Sequence, residues 1–230
     1  MQPERKVILL DLGGVVVEAT GRTALTTLLP HLSEEQILAR WQQSQAAGDF
    51  ERGRISKEAF ARAFVAEWGL QMAEADFLEY FASWVIGFVE GAIDLIHALR
   101  ARYHVGCLSN TNPLHWARLP GVAALFDSTF PSYVTGYMKP QREAYEHAVG
   151  ELRVRPQKVY FFDDLTSNVT AAREVGINAF RVRGFEDLMD VLKVQGLYQP
   201  QMPNPPVNAD ARDAPAPSEQ GGARADHRKR

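Results

Sequence analysis

Cysteine occurs once in this chain of 230 residues, at Cys107, so no disulfide can form within it and a reducing compartment is indicated. There is no basic excess either. Lys and Arg number 25 against 28 Asp and Glu, a net charge of -3, whereas a nucleic-acid footprint needs a basic stripe. Long apolar runs are missing: nothing approaches the roughly 20 residues of a membrane span. Arg5 and Lys6 lead into only four apolar residues, Val7 to Leu10, too few for a secretion signal. Repeats of roughly 20–50 residues are absent as well. These gaps leave a soluble, cytoplasmic globular protein with no nucleic-acid or membrane partner. Its 46% hydrophobic and 23% charged residues are ordinary for that class.

The composition changes near Tyr198. Pro200 to Arg230 holds six of the thirteen prolines and no aromatic residue. Such a segment buries too little apolar surface to offset its ordering entropy, so residues 199–230 are expected to be a disordered tail. Upstream, short apolar runs recur at Val7 to Leu10, Val105 to Leu108, Thr129 to Val134, Val159 to Phe162 and Ala179 to Val182. Runs without polar alternation suit parallel strands covered on both faces. Helical patterns lie between them, around Ala92 to Leu99, Ala144 to Leu152 and Val169 to Gly176. Alternating strand and helix with short links predicts an α/β fold with a doubly wound parallel sheet.

Between Glu18 and Phe88 the alternation stops, and the pattern reads as amphipathic helices without a strand. The clearest are Glu34 to Gln45, Lys57 to Trp68 and Ala73 to Val85, with N-terminal cap signals at Ser33 and, more weakly, Ser56. The expected organisation is therefore a core of residues 1–17 and 89–198 with a helical-bundle cap, residues 18–88, inserted after the first strand. An insertion there overhangs the carboxyl ends of the strands, where open α/β sheets bind ligands. Specificity is expected in its helices, which offer Trp41, Arg52, Arg54, Phe60 and Trp84.

Four signals stand at strand ends. Asp11 closes the first strand in DLGGV, where two glycines let the backbone approach a ligand. Ser109 and Asn110 follow the second strand, and a small hydroxyl with free backbone N–H groups can bind a phosphate. Lys139, fixed by Pro140, lies beyond the third and can screen charge between a carboxylate and a phosphate. Asp163 and Asp164 end the fourth; two adjacent carboxylates repel each other and ask for a cation, and Mg²⁺ suits them. Taken singly, each has a structural alternative: a polar turn, a solvated lysine, or a helix N-cap made by Asp164. Their conjunction at the carboxyl ends of four parallel strands is far more specific.

With these residues in place the sequence resembles the haloacid dehalogenase (HAD) superfamily of phosphohydrolases, in its subfamily IA with a helical cap, over roughly residues 5 to 190. DLGGV, ISKEAF, LSNTNPLHW, MKPQREAYEHAV and VYFFDDLTSNVTAA are similar to the bacterial subgroup that includes the α-D-glucose-1-phosphate phosphatases. The resemblance implies a Mg²⁺-dependent phosphatase acting on a small-molecule phosphate ester, such as a sugar phosphate. Asp11 would form an aspartyl-phosphate, Ser109 and the N–H of Asn110 would bind phosphoryl oxygens, and Lys139 would balance charge. Asp11, the Gly13 carbonyl and Asp164 would ligate the metal, with Asp163 directly or through water.

Gly13 departs from the superfamily pattern, which usually has a second Asp there as general acid. The loss favours good leaving groups or a donor from elsewhere, and position offers Glu18, or His115 as donor or substrate contact. Two other readings compete. A metal-independent dehalogenase would leave the Asp163–Asp164 repulsion unexplained, and a non-catalytic binding or regulatory protein has only Gly13 in its favour.

Overall fold

The computed structural model describes residues 5–199; of the tail expected over residues 199–230, all but residue 199 lies outside the described residues. Strand β1 (Val7–Leu10) runs into a tight loop and then β2 (Val17–Ala19). Five helices follow: α1 (Gly21–Leu28), α2 (Glu34–Gln43), α3 (Gln45–Glu51), α4 (Lys57–Trp68) and α5 (Glu74–Ala82). The chain returns through β3 (Val85–Phe88), α6 (Ala92–Arg100) and β4 (His104–Ser109). Then come α7 (Pro113–Ala117), α8 (Val122–Leu125), β5 (Ser128–Pro131), α9 (Ser132–Thr135) and α10 (Arg142–Leu152). The last elements are β6 (Val159–Asp163), α11 (Thr166–Glu174), β7 (Asn178–Arg181) and α12 (Phe185–Val194).

Five strands pair in parallel in the order β5-β4-β1-β6-β7, which puts β1 and its terminal Asp11 at the centre. Successive side chains of a strand face opposite layers. Ile8, Leu10, Val105, Cys107 and Phe162 pack with Leu95 and Ile96 of α6 and Leu188 and Leu192 of α12. Val7, Leu9, Leu108, Val159 and Phe161 pack with Tyr145 and Ala148 of α10 and Val169 and Ala172 of α11. The sheet is doubly wound, because unbroken apolar strands require cover on both faces.

Helices α1 to α5 bury a separate core rich in aromatic rings: Phe50, Phe60, Phe64, Trp68, Phe77, Phe81 and Trp84. Phe50 and Phe60 stack with centroids 4.4 Å apart, and Phe64 and Trp68 at 4.9 Å. Ser33 and Gln36 form a reciprocal capping box on α2, and Ser56 caps α4 through the N–H of Ala59.

Several boundaries differ from the expected ones, each for a local reason. The helix expected over Glu34 to Gln45 breaks at Ser44, whose hydroxyl accepts from the N–H of Ala47 and so starts α3. The strand expected over Thr129 to Val134 ends at Pro131, which has no N–H for a ladder, and the chain turns into α9. The segment expected to be strand-free carries β2 and β3, which pair antiparallel with Val17 opposite Phe88. Strands of three and four residues are too short to show a period of two. They join the inserted helices to the core on two adjacent chain crossings.

Candidate active site

The carboxyl ends of β1, β4 and β6, with the loop after α9, bring the predicted residues together. The Nζ of Lys139 lies 2.8 Å from Oδ1 of Asp11 and 2.7 Å from Oδ2 of Asp163. Its side chain is only 1% exposed, and the Phe161 ring lies under it at 5.5 Å. Burial opposes its charge, but Asp11 and Asp163 outweigh that and hold the ammonium above its ordinary range. Asn110 fixes the lysine by its backbone: its amide donates to the Lys139 carbonyl (2.8 Å) and accepts from the Lys139 N–H (2.9 Å).

Asp11 receives the N–H of Leu12 at Oδ1 as well (2.7 Å). Oδ2 has no hydrogen-bond partner among the described residues. Burial pushes the Asp11 carboxyl up to about 8; Lys139 opposes the shift and Asp163 and Asp164 add to it. Asp163 is fully enclosed and takes four hydrogen bonds, from Leu165 N–H, Lys139 and, at both oxygens, the Asn168 amide. Asn168 is held in turn, because Tyr145 donates its hydroxyl to the Asn168 carbonyl (2.9 Å).

Asp164 does not cap the following helix; the Leu165 N–H goes to Asp163 instead. Its Oδ2 meets the Arg22 guanidinium at 3.0 Å. Burial and Asp163 raise its carboxyl above the usual range, with Arg22 opposing. One oxygen from each of Asp11, Asp163 and Asp164 lies within 4.8 Å of the others. Gly14 makes that closeness possible: its φ is +74°, and a Cβ there would stand 2.9 Å from Oδ2 of Asp164. Three carboxylates thus face one buried ammonium and one half-exposed guanidinium, an anionic oxygen-donor set that fits a hard divalent cation. Ser109 and Asn110, with Leu12 and Gly13, line a recess of about 110 Å³ beside this cluster.

A cleft of about 1250 Å³ opens above it between the sheet and the inserted helices. Asp11, Gly13, Lys139 and Asp164 form its floor, and Arg22, Trp41, Glu51, Arg52, Trp84, Arg181 and Arg183 stand in its walls. Phe60 and Arg54 do not reach it. Phe60 lies in the aromatic core, and Arg54 is largely exposed beside Asp49.

The two expected proton donors fare differently from the cluster. Glu18 lies on β2, exposed, and is not part of the cleft wall. His115 does line the cleft, but both ring nitrogens are occupied. Nδ1 accepts from the Asn112 amide (3.0 Å), and the proton on Nε2 goes to the Phe81 carbonyl (2.8 Å). The ring stacks on Phe81 at 4.3 Å, and burial pushes its pKa down to about 4. A neutral imidazole with its one proton committed ties α7 to α5; it has no proton to give. Asn168, Arg22 and Glu51 escaped sequence reasoning, since only the folded chain brings them to the strand ends.

A family model described as haloacid dehalogenase-like hydrolase matches residues 5–176. The chain is 27% identical over 203 residues to a D-ribitol-5-phosphate phosphatase of Bacteroides thetaiotaomicron, covering 82% of this chain and 97% of that protein. Its fold is similar to a predicted HAD-like hydrolase of Porphyromonas gingivalis, with a TM-score of 0.70 at 22% identity over 86% of this chain and all of the other. A HAD family enzyme of Bacteroides thetaiotaomicron, solved in complex with magnesium and inorganic phosphate, superposes with a TM-score of 0.68 at 24% identity. That match covers 81% of this chain and 98% of the other.

Proposed function

Because the chain belongs to the haloacid dehalogenase-like hydrolases, we propose that it is a magnesium-dependent phosphatase forming an aspartyl-phosphate on Asp11, with a sugar or sugar-alcohol phosphate as substrate. The observation that carries this reading is the Asp11–Lys139–Asp163 cluster, with Asp164 alongside and the Ser109–Asn110 recess next to it. Asp11, Asp164 and the Gly13 carbonyl would hold Mg²⁺, with Asp163 reaching it through water because its own oxygens are already engaged. When bound, Mg²⁺ neutralises charge on the phosphoryl oxygens.

The free Oδ2 of Asp11 attacks phosphorus while Lys139 holds Oδ1 and so orients the carboxylate. The Ser109 hydroxyl and the Asn110 N–H receive phosphoryl oxygens, fixed donors of the kind that stabilise developing charge. Water then releases inorganic phosphate from Asp11. The polyol-phosphate class is supported by the likeness to the ribitol-5-phosphate phosphatase, which spans nearly all of that protein. Arg22, Arg52, Arg181 and Arg183 in the walls suit an anionic ligand.

Phosphate release from a panel of sugar and sugar-alcohol phosphates, with Mg²⁺ and with a chelator, tests the reading. Release should require Mg²⁺, and Asp11→Asn should lower turnover by several orders of magnitude. Metal-independent halide release from haloacids, or an Asn variant retaining a substantial fraction of turnover, would overturn it.

A further inference from the structure

Gly13 leaves the nucleophile loop without a side chain to protonate a departing alcohol, and neither Glu18 nor His115 supplies one. Among the described residues, one buried acid lining the cleft has no task. Glu51 ends α3, is 7% exposed, and lines the same cleft as Asp11, Gly13 and Lys139. No N–H or O–H among the described residues donates to its carboxyl group. The charges around it are engaged elsewhere. Arg52 donates to the Gly48 carbonyl (3.0 Å) and to Gln141 Oε1 (3.3 Å), and Lys139 serves Asp11 and Asp163. Across the cleft, Asp164 faces Arg22, and His115 is neutral.

A buried carboxyl without a partner is most stable protonated. Burial pushes Glu51 up to about 7, against the pull of Arg52 and Lys139. Near neutral pH it therefore carries its proton about half the time, the condition under which an acid is most effective. Its place is fixed by the docking of α3 on the core. Gly53, with φ +68°, lies so close to Tyr133 that a Cβ would overlap the Tyr133 carbonyl, and Arg52 reaches Gln141 across the same junction.

We propose that Glu51 is the general acid of this site, supplied by the inserted helices in place of the side chain that Gly13 lacks. The assignment rests on the phosphatase reading above. As Oδ2 of Asp11 bonds to phosphorus, the bond from phosphorus to the ester oxygen breaks, and the Glu51 proton passes to that oxygen. The alcohol leaves neutral and Glu51 becomes a carboxylate. It then takes a proton from the water that attacks the aspartyl-phosphate, which frees inorganic phosphate and restores both acids to their starting states.

The test compares Glu51→Gln with wild type on two probes: the sugar or polyol phosphate hydrolysed fastest in the panel, and p-nitrophenyl phosphate, whose phenolate leaves without a proton. The readout is kcat/KM, which covers only the steps up to loss of the leaving group. On the alkyl ester it should fall about 10²–10⁴-fold, and at least ten times more than on the aryl ester. The wild-type pH profile tests the same point without a substitution. Its alkyl-ester kcat/KM should decline above pH about 7 relative to the aryl ester. Equal slowing of both esters, a change confined to KM, or superimposable wild-type pH profiles overturns the assignment while Asp11-dependent turnover persists. Absence of Asp11-dependent turnover in the wild-type chain instead overturns the phosphatase reading, and this assignment with it.

Discussion

Replacing Glu51 by Gln keeps the side chain's size and removes its titration, and the effect on stability follows from its burial. Folding moves this carboxyl from its ordinary value of 4.5 up to about 7. Between those values the folded chain holds a proton that the unfolded chain has released. Stability is therefore present below pH about 4.5 and is lost as pH rises through about 7, the reverse of an ion-paired carboxylate. At about 1.4 kcal/mol per pKa unit, the loss attributable to Glu51 is about 3 kcal/mol once both states are ionised. Gln carries no such dependence. Urea unfolding of both proteins in chelator at pH 5 and pH 8 isolates the term, because every other titrating group is common to them. The variant should be close to wild type at pH 5 and more stable at pH 8 by about 2–3 kcal/mol. For a domain of this size that is a rise in Tm of about 5–10 °C. A stability difference that does not change with pH, or a variant less stable at pH 8, would show that Glu51 is paired or solvated. Glu51 would then hold no extra proton in the folded chain.

Lys139→Met should destabilise the fold by about 3–5 kcal/mol, because it strands Asp11 and Asp163 in a buried site without their shared cation; urea unfolding near neutral pH checks this, and a cost under about 1 kcal/mol would contradict the observed pairing. Gly14→Ala should cost about 1–2 kcal/mol for left-handed backbone alone, plus contact with Asp164. Gly13→Ala should stay within about 0.5 kcal/mol of wild type, since its φ is not left-handed and nothing lies within 4 Å of an added Cβ. Equal costs at the two glycines, measured by the same unfolding curves, would mean the loop is built differently.

The strand ends were legible because two independent regularities coincide there. Val7 to Leu10 and Val159 to Phe162 are apolar without alternation, which sets them inside a covered sheet, and each is followed at once by carboxylates, which a covered sheet holds only beside a cation and hydrogen-bond donors. Chemistry at the end of a buried strand is thus marked by an abrupt change of residue type. The same reasoning overran at Val134, where a run of strand-forming residues continued past Pro131 into a helical turn. It missed β2 and β3, whose pairing is set by the entry and exit of the insertion and leaves no pattern in so few residues.

Asn168 and Glu51 lacked any such mark, for different reasons. Asn168 lies in the first turn of α11, where an amide in a polar stretch reads as surface; it is buried, with Tyr145 of a different helix holding its carbonyl. Glu51 stands in Gln45–Glu51, a short helix whose charged end has the composition of a solvated face. The residues just after it meet the core about 80–90 residues away in sequence, Gly53 at Tyr133 and Arg52 at Gln141. A local pattern reports which face of a helix is apolar and carries no information about which foreign surface covers its end. That difference separates the two halves of the site. The carboxylates of the cluster stand at the ends of neighbouring strands of one sheet and Lys139 is held to Asn110 beside them, whereas the acid reaches the cleft through the seating of one helix on Tyr133. Whatever shifts α3 on the core should therefore disturb protonation of the leaving group before it disturbs the Asp11–Lys139–Asp163 cluster.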